Sequence, residues 1–321
     1  MSRPDLPARD LPIGSRAPAK CILFGEHAVV HGGPELVAAV DLHTQIGVRT
    51  AATTRLNRDP DASQRNPYFR EALARAWDGG SPVEVTSTSR IPRSAGLGSS
   101  AAFSTALCAA FGAARGGLAR SELAARAFAV ERGAQGVGSP GDTSAIAAGG
   151  LISLNADRGA ELWKVTDGST VWTVREVPDP SWSWVVAYSG IPRDTAATVR
   201  AVGVRLAKPD GPALLDRFRD VTMDGIAAVL AEDPEACGRN LDANQELLRE
   251  IGVSHPRLEA LLDSVRPVVH GAKLTGAGAG GSIVALPRAG RELEAVRRIA
   301  RVGGVGFVVR VSLDGARLVE A

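Results

Sequence analysis

Apolar runs and turn residues divide this chain into a strand-rich first half and a helix-rich second half. CILFG (21–25) is a short apolar run, HGGP (31–34) is turn chemistry, and ELVAAV (35–40) and TQIGVRT (44–50) have the pattern of strands. DPDASQRNP (59–67) is expected to be a loop, YFREALARAW (68–77) has helical periodicity, and PVEVTSTS (82–89) alternates like a half-exposed strand. A helix is expected to follow GLGSS, and a second helix covers RSELAARAFAVERGA (120–134). GGLISLN, LWKV and VWTVREV read as strands before the pattern restarts near PDPSWSW (178–184). Long helices are expected at about 198–208, 212–232, 235–251 and 256–265, then a strand and glycine loop at AKLTGAGAGGSIVAL, a helix near 290–302 and a last strand GFVVRVSL. Strands and helices interleave without regular βαβ alternation, which predicts an α+β fold. The expected division is a disordered N-terminal extension (1–16), an N-terminal domain (17–178) and a C-terminal domain (179–321).

Composition narrows the function classes. With 321 residues and 45% hydrophobic content, the chain can bury a large core and is long enough for two domains. The net charge of +2 argues against a nucleic-acid partner. The polar N-terminus and the lack of a long apolar run predict a cytoplasmic protein with no membrane partner. Cys21, Cys108 and Cys237 have neither metal nor disulfide spacing, in keeping with a reducing compartment. Only four lysines occur, and two of them, Lys20 and Lys273, stand in apolar strands beside glycine-rich loops.

The candidate chemistry begins at RIPRSAGLGSSAAFSTALCAAF (90–111). Gly96 and Gly98 permit close backbone approach, Ser99 or Ser100 can cap the next helix, and Phe103, Leu107 and Phe111 give that helix a buried stripe. An anchored helix N-terminus behind a glycine loop suits a phosphate, and a serine hydroxyl can join a phosphate-bound cation. The same residues also fit an ordinary Gly-Ser turn, and no lysine follows as in a Walker A loop. Glu131 lies on the buried stripe of Ala124 and Phe128, where a carboxylate needs a partner: an arginine or a metal. Asp142, in SPGD, suits either a helix cap or the handling of a hydroxyl proton. Lys20 needs an opposing carboxylate, for which Asp142 is the candidate. His27 fits a plain turn, and GAGAGG fits a flexible hairpin.

Taken together, three ordered motifs carry a resemblance. APAKCILFGEHAVVHGGPELVAAVD, PRSAGLGSSAA and KLTGAGAGGSIVAL are similar to the three motifs of the GHMP kinases. Within that family, KCILFGEHAVVHG, GVGSPGDTSAIAAGG, GIPRDTAATV and LDANQELLREIGVSHPRLEALL resemble the mevalonate kinases of archaeal and bacterial type. The resemblance implies a two-domain fold, ribosomal-protein-S5-like in its N-terminal half and ferredoxin-like in its C-terminal half. It implies ATP-dependent phosphorylation of the 5-hydroxyl of mevalonate, with ATP and Mg²⁺ as cofactors and a homodimer as a candidate assembly. It assigns Asp142 and Lys20 as catalytic residues and Pro92, Ala95, Gly96, Leu97, Gly98, Ser99, Ser100 and Ala101 to ATP. Ser100 (with Ser99 as the alternative) and Glu131 fall to the metal, and Lys20, Glu26, His27, Asp142, Thr195, Gly276 and Ala277 to the substrate. Ala19 and Ala279 stand where glycine is commoner, and SPGD replaces the SGID of many relatives. Another small alcohol, such as phosphomevalonate or a sugar, is the alternative substrate, and an inactive ligand sensor with this fold is the third reading.

Overall fold

The structure is a computed structural model, and it describes residues 10–320. In chain order the elements are β1 (Ile13–Phe24), β2 (Glu35–Thr50), β3 (Arg55–Leu56), α1 (Ala62–Arg65), α2 (Pro67–Ala76), β4 (Val83–Ser89), α3 (Ser99–Ala113), α4 (Arg120–Gln135) and α5 (Gly141–Ala148). Then come β5 (Leu151–Leu154), β6 (Ala160–Asp167), β7 (Thr170–Val177), β8 (Ser183–Tyr188), α6 (Thr195–Leu206), α7 (Gly211–Leu230), α8 (Pro234–Glu250) and α9 (Pro256–Val265). The chain closes with β9 (Val269–Thr275), β10 (Ser282–Pro287), α10 (Glu292–Arg301), β11 (Val305–Arg310) and β12 (Arg317–Val319).

Two sheets organise these elements. The first runs β12-β1-β2-β5-β7-β6, with β4 pairing the C-terminal half of β2 and β3 pairing β4. The second runs β11-β8-β10-β9. Period-2 alternation splits β8 and β10 between two cores. Trp184, Val186, Val284 and Leu286 join the core that reaches the first sheet, while Val185, Ala187, Ile283 and Ala285 join the core under α9 and α10. One apolar cluster therefore runs from the first sheet into the second. Packed on β1 and β2 of the first sheet and against α2, α4 and α5, α3 is buried on nearly every side, as expected for a helix made almost wholly of small and apolar residues.

The expected helices at 212–232, 235–251 and 256–265 stand as α7, α8 and α9 to within two residues. The extension is shorter than expected. Residues 1–9 lie outside the described residues, but Ile13–Arg16 are already strand, paired with β2 and with β12. The cause is side-chain contact: Ile13 is buried and Ser15 donates its hydroxyl to the Ala106 carbonyl of α3 at 2.7 Å. β12 itself was not expected, and it returns the C-terminus to the first sheet. The loop expected at 59–67 contains α1, and Asn66 caps α2 by accepting from the Phe69 N–H. α5 was missed because seven of its eight residues are buried and most are small, so it shows no stripe. Among the described residues no helix is long and apolar enough to cross a membrane, and the three cysteines are buried and unpaired.

Candidate active site

The site is built on the β1–β2 hairpin. Lys20 pairs with Ala39 and Ile22 with Val37 across the ladder, so Lys20, Ile22, Val37 and Glu35 share one face. Lys20 is only 1% exposed, and its ammonium donates to Asp142 Oδ1 at 2.9 Å. Asp142 is the second residue of α5, whose side-chain cap is absent, so it is a partner of Lys20 and not a helix cap. The Lys20 backbone N–H donates to Leu97 O at 3.1 Å, tying the glycine loop to the strand. Gly98 has φ 74°, and a Cβ there would lie 2.7 Å from Lys20 Cγ. Gly98→Ala is therefore expected to cost roughly 1–2 kcal/mol in left-handed backbone strain alone. It would also push the lysine stem off Asp142, lowering kcat. Thermal melting and steady-state kinetics check both effects.

α3 starts directly behind that loop, with Gly98 at its N-cap position and no side-chain cap. This corrects the capping role expected for Ser99 or Ser100. Both are half-buried in the first turn, where amide N–H groups have no intrahelical acceptor. The Ser100 hydroxyl instead donates to Glu131 Oε2 at 2.9 Å. Ser104, one turn on, donates to Oε1 at 2.7 Å, and Gln135 donates to Oε2 at 2.8 Å. Glu131 thus takes hydroxyl and amide partners instead of an arginine. It is 8% exposed, and burial pushes its pKa up to about 7 despite those hydrogen bonds. Ser100 Oγ and Glu131 Oε2 are hard oxygen donors side by side, which suits Mg²⁺. Among the described residues no three His, Cys, Asp or Glu side chains cluster as a metal cage, so such a cation would take its other ligands from phosphate and water.

The third loop closes the site from the second sheet. Ile22 N–H donates to Thr275 Oγ1 at 2.9 Å and Thr275 donates back to Ile22 O at 3.0 Å, joining β9 to β1. Lys273 is fully buried and ion-paired with Glu26, and it also donates to Leu274 O at 2.8 Å. Burial, the leading cause in both, lowers the Lys273 pKa and raises that of Glu26. His27 has φ 65° and its Nε2 lies 3.0 Å from Ala277 O. A carbonyl only accepts, so Nε2 carries the proton. Burial pushes the His27 pKa down to about 4, which keeps the ring neutral near pH 7. Arg193 packs between the two glycine loops: Cβ atoms added at Gly276, Gly96 and Gly281 would lie 2.5, 3.2 and 3.2 Å from its side chain. Its Nη1 is buried without a hydrogen-bond partner.

These groups converge on one cleft of about 740 Å³ including its open mouth. Lys20, Glu26, His27, Glu131, Asp142, Thr195, Gly276 and Ala277 all line it. Thr195 arrives as the first residue of α6, which Asp194 caps by accepting from Ala197 N–H. Ala95, Gly96, Leu97 and Gly98 form the buried loop beside the cleft, whereas Pro92 is only half-buried at its start. Ala101 is fully buried in α3, so only its main chain is placed to face a phosphate. Sequence reasoning gave no role to Glu35, Arg193, Ser104 or Gln135. The four-residue steps from Ser100 to Ser104 and from Glu131 to Gln135 were the legible signal for Ser104 and Gln135.

Comparison with known proteins bears on the family and the fold. The family model for the GHMP kinases N terminal domain matches residues 67–150, and that for the GHMP kinases C terminal matches residues 226–304. The chain is 32% identical to the mevalonate kinase of Methanothermobacter thermautotrophicus, over 84% of this chain and 88% of that one. It is 30% identical to the mevalonate kinase of Pyrococcus horikoshii, over 95% and 97% of the two chains. Its fold superposes on the crystal structure of Methanococcus jannaschii mevalonate kinase with a TM-score of 0.77 at 24% identity, covering 94% of this chain and 99% of that one. The L. major mevalonate kinase in complex with R-mevalonate also gives 0.77 at 24% identity, covering 98% and 100%. Matched in both halves and along most of its length, the chain belongs to the GHMP kinase family, within the mevalonate kinases.

Proposed function

We propose that this chain transfers the γ-phosphoryl group of ATP to the 5-hydroxyl of mevalonate. The observation that carries the reading is the ion pair at 2.9 Å between buried Lys20 and half-exposed Asp142, in a cleft beside a glycine loop and a helix N-terminus. The main-chain N–H groups from Gly96 to Ser100 would cradle the phosphates, favoured by the positive end of α3. Asp142 would orient the substrate hydroxyl and accept its proton, while Lys20 offsets negative charge at the attacking oxygen. The Nη1 of Arg193, without a hydrogen-bond partner among the described residues, fits an anionic group of the substrate. Val29, Val30 and Phe128 give the same cleft an apolar wall for a small aliphatic body. Ser100 and Glu131 would hold Mg²⁺, which neutralises charge on the phosphate oxygens when bound.

The test is turnover of ATP with a panel of mevalonate, phosphomevalonate, galactose and homoserine. Mevalonate is expected to be the preferred acceptor, with 5-phosphomevalonate as the product. Turnover of phosphomevalonate but not mevalonate would overturn the substrate assignment. No turnover of any alcohol would favour the sensor reading.

The metal assignment has a separate readout. With its pKa near 7, Glu131 holds a proton at mildly acid pH that a bound cation must displace. Mg²⁺–ATP binding is therefore expected to release a proton below about pH 7 and none well above it. Calorimetry in buffers of differing ionisation heat measures the release, and Glu131→Gln should abolish it. The sign for stability follows from the same shift. A carboxyl whose folded pKa is raised loses its stabilising contribution as pH climbs from its ordinary value to about 7.

A further inference from the structure

Glu35 opens β2 on the same sheet face as Lys20, and it lines the cleft at 1% exposure. Its Oε2 is buried without a hydrogen-bond partner. That oxygen lies against the first turn of α5: a Cβ added at Gly141 would fall 2.1 Å from it. The charged groups around Glu35 are Lys20 from β1, Glu26 from the following turn, Lys273 from β9 and Asp142 from α5. Arg193 acts on Asp142 and Glu26 from the loop before α6, and Glu131 of α4 acts on Asp142. Both lysines are already committed, Lys20 to Asp142 and Lys273 to Glu26. Among the described residues no ion pair reaches Glu35, which leaves it the odd acid of the cluster.

We infer that Glu35 is a positioning residue for phosphoryl transfer: as a neutral acid it seats the first turn of α5 so that Asp142 has Lys20 to itself. An unpaired carboxylate in that wall is strongly disfavoured, whereas the neutral acid is tolerated. Burial, and then the charge of Asp142, push the Glu35 pKa well above the ordinary carboxyl value. Losing the proton would place a second negative charge beside Asp142, and Lys20, the ion-pair partner of Asp142, would be shared between them. The ammonium would be drawn between two carboxylates and off the geometry in which it serves the substrate oxygen. Gly141 is part of the same device, since no side chain fits between its backbone and the Glu35 carboxyl.

This inference rests on the kinase reading above. Its test compares kcat against pH for wild type, Glu35→Gln and Glu35→Ala at saturating ATP and mevalonate. Infrared difference spectra of the substrate-free protein accompany the kinetics. Wild-type kcat is expected to fall on the alkaline side, approaching about tenfold per pH unit for loss of one proton. Glu35→Gln, which keeps the shape and cannot ionise, is expected to lack that decline or show it only at higher pH. Glu35→Ala is expected to be slower at every pH, because the turn loses its seat. A neutral carboxylic-acid carbonyl band of wild type, distinct from the one that Glu131 contributes up to about pH 7, should vanish in Glu35→Gln. A Glu35→Gln profile that superimposes on wild type would overturn the inference, as would the absence of that band. Wild type that turns over no alcohol would instead overturn the kinase reading, and the infrared band would still report the Glu35 proton independently.

Discussion

Asp142→Asn is expected to lower kcat for mevalonate by about 10²–10⁴, the range for losing a positioned proton acceptor. The KM for ATP should change little, because the glycine loop and Glu131 are untouched. Asparagine keeps the size of the side chain but cannot accept the hydroxyl proton, and it removes the carboxylate from a lysine that is 1% exposed. Lys20→Met is expected to fall in the same range by the complementary loss, leaving Asp142 without its cation. Because the pair acts as a unit, the double variant should be scarcely worse than either single one. Steady-state kinetics of the three variants, with circular dichroism to confirm folding, decide the matter. Full activity in Asp142→Asn would remove the proton-accepting role from this mechanism.

Why the sequence exposed this pair is instructive. Lys20 interrupts an apolar strand and Asp142 follows a Pro-Gly turn, so each is out of place locally and needs a partner elsewhere. Glu131 was legible for the same reason, as an acid on a buried stripe. The glycine loop was legible as a break between a strand and an apolar helix, but the part played by its serines was not. Ser100 serves Glu131 instead of the helix end, a choice set by a helix 31 residues away in sequence. Glu35 gave no signal, since a glutamate opening a strand after a Gly-Pro turn is unremarkable until α5 is laid over it. Arg193 gave none either, because its packing depends on three glycines drawn from two separate loops. Local conflict was readable, while long-range closure was not. The same limit hid β12 and α5: one is defined only by its pairing to β1, the other only by the burial of every residue but Asp142.

Lys273 shows how much stability that closure carries. Lys273→Met is expected to destabilise the protein by about 3–5 kcal/mol, as when one partner of a buried ion pair is removed. For a chain of this size that corresponds to a fall in Tm of roughly 10 °C. The reason is the state left behind. Glu26 keeps one oxygen that already lacks a partner and loses the cation from the other. The loss falls where β9 meets the turn after β1, so it weakens the joint between the two sheets and not a single helix. The variant should also gain a pH signature. Burial already raises the Glu26 pKa, and without Lys273 the carboxyl would take up a proton on folding. A group with a raised folded pKa loses its contribution as pH climbs, so the Tm deficit should widen as pH rises from the ordinary carboxyl range towards alkaline values. Lys273→Met combined with Glu26→Gln should recover much of the stability, since no charge remains buried. Thermal melts of the single and double variants across that range read both effects. A single variant that melts with wild type at every pH would show that the pair is not what joins the sheets.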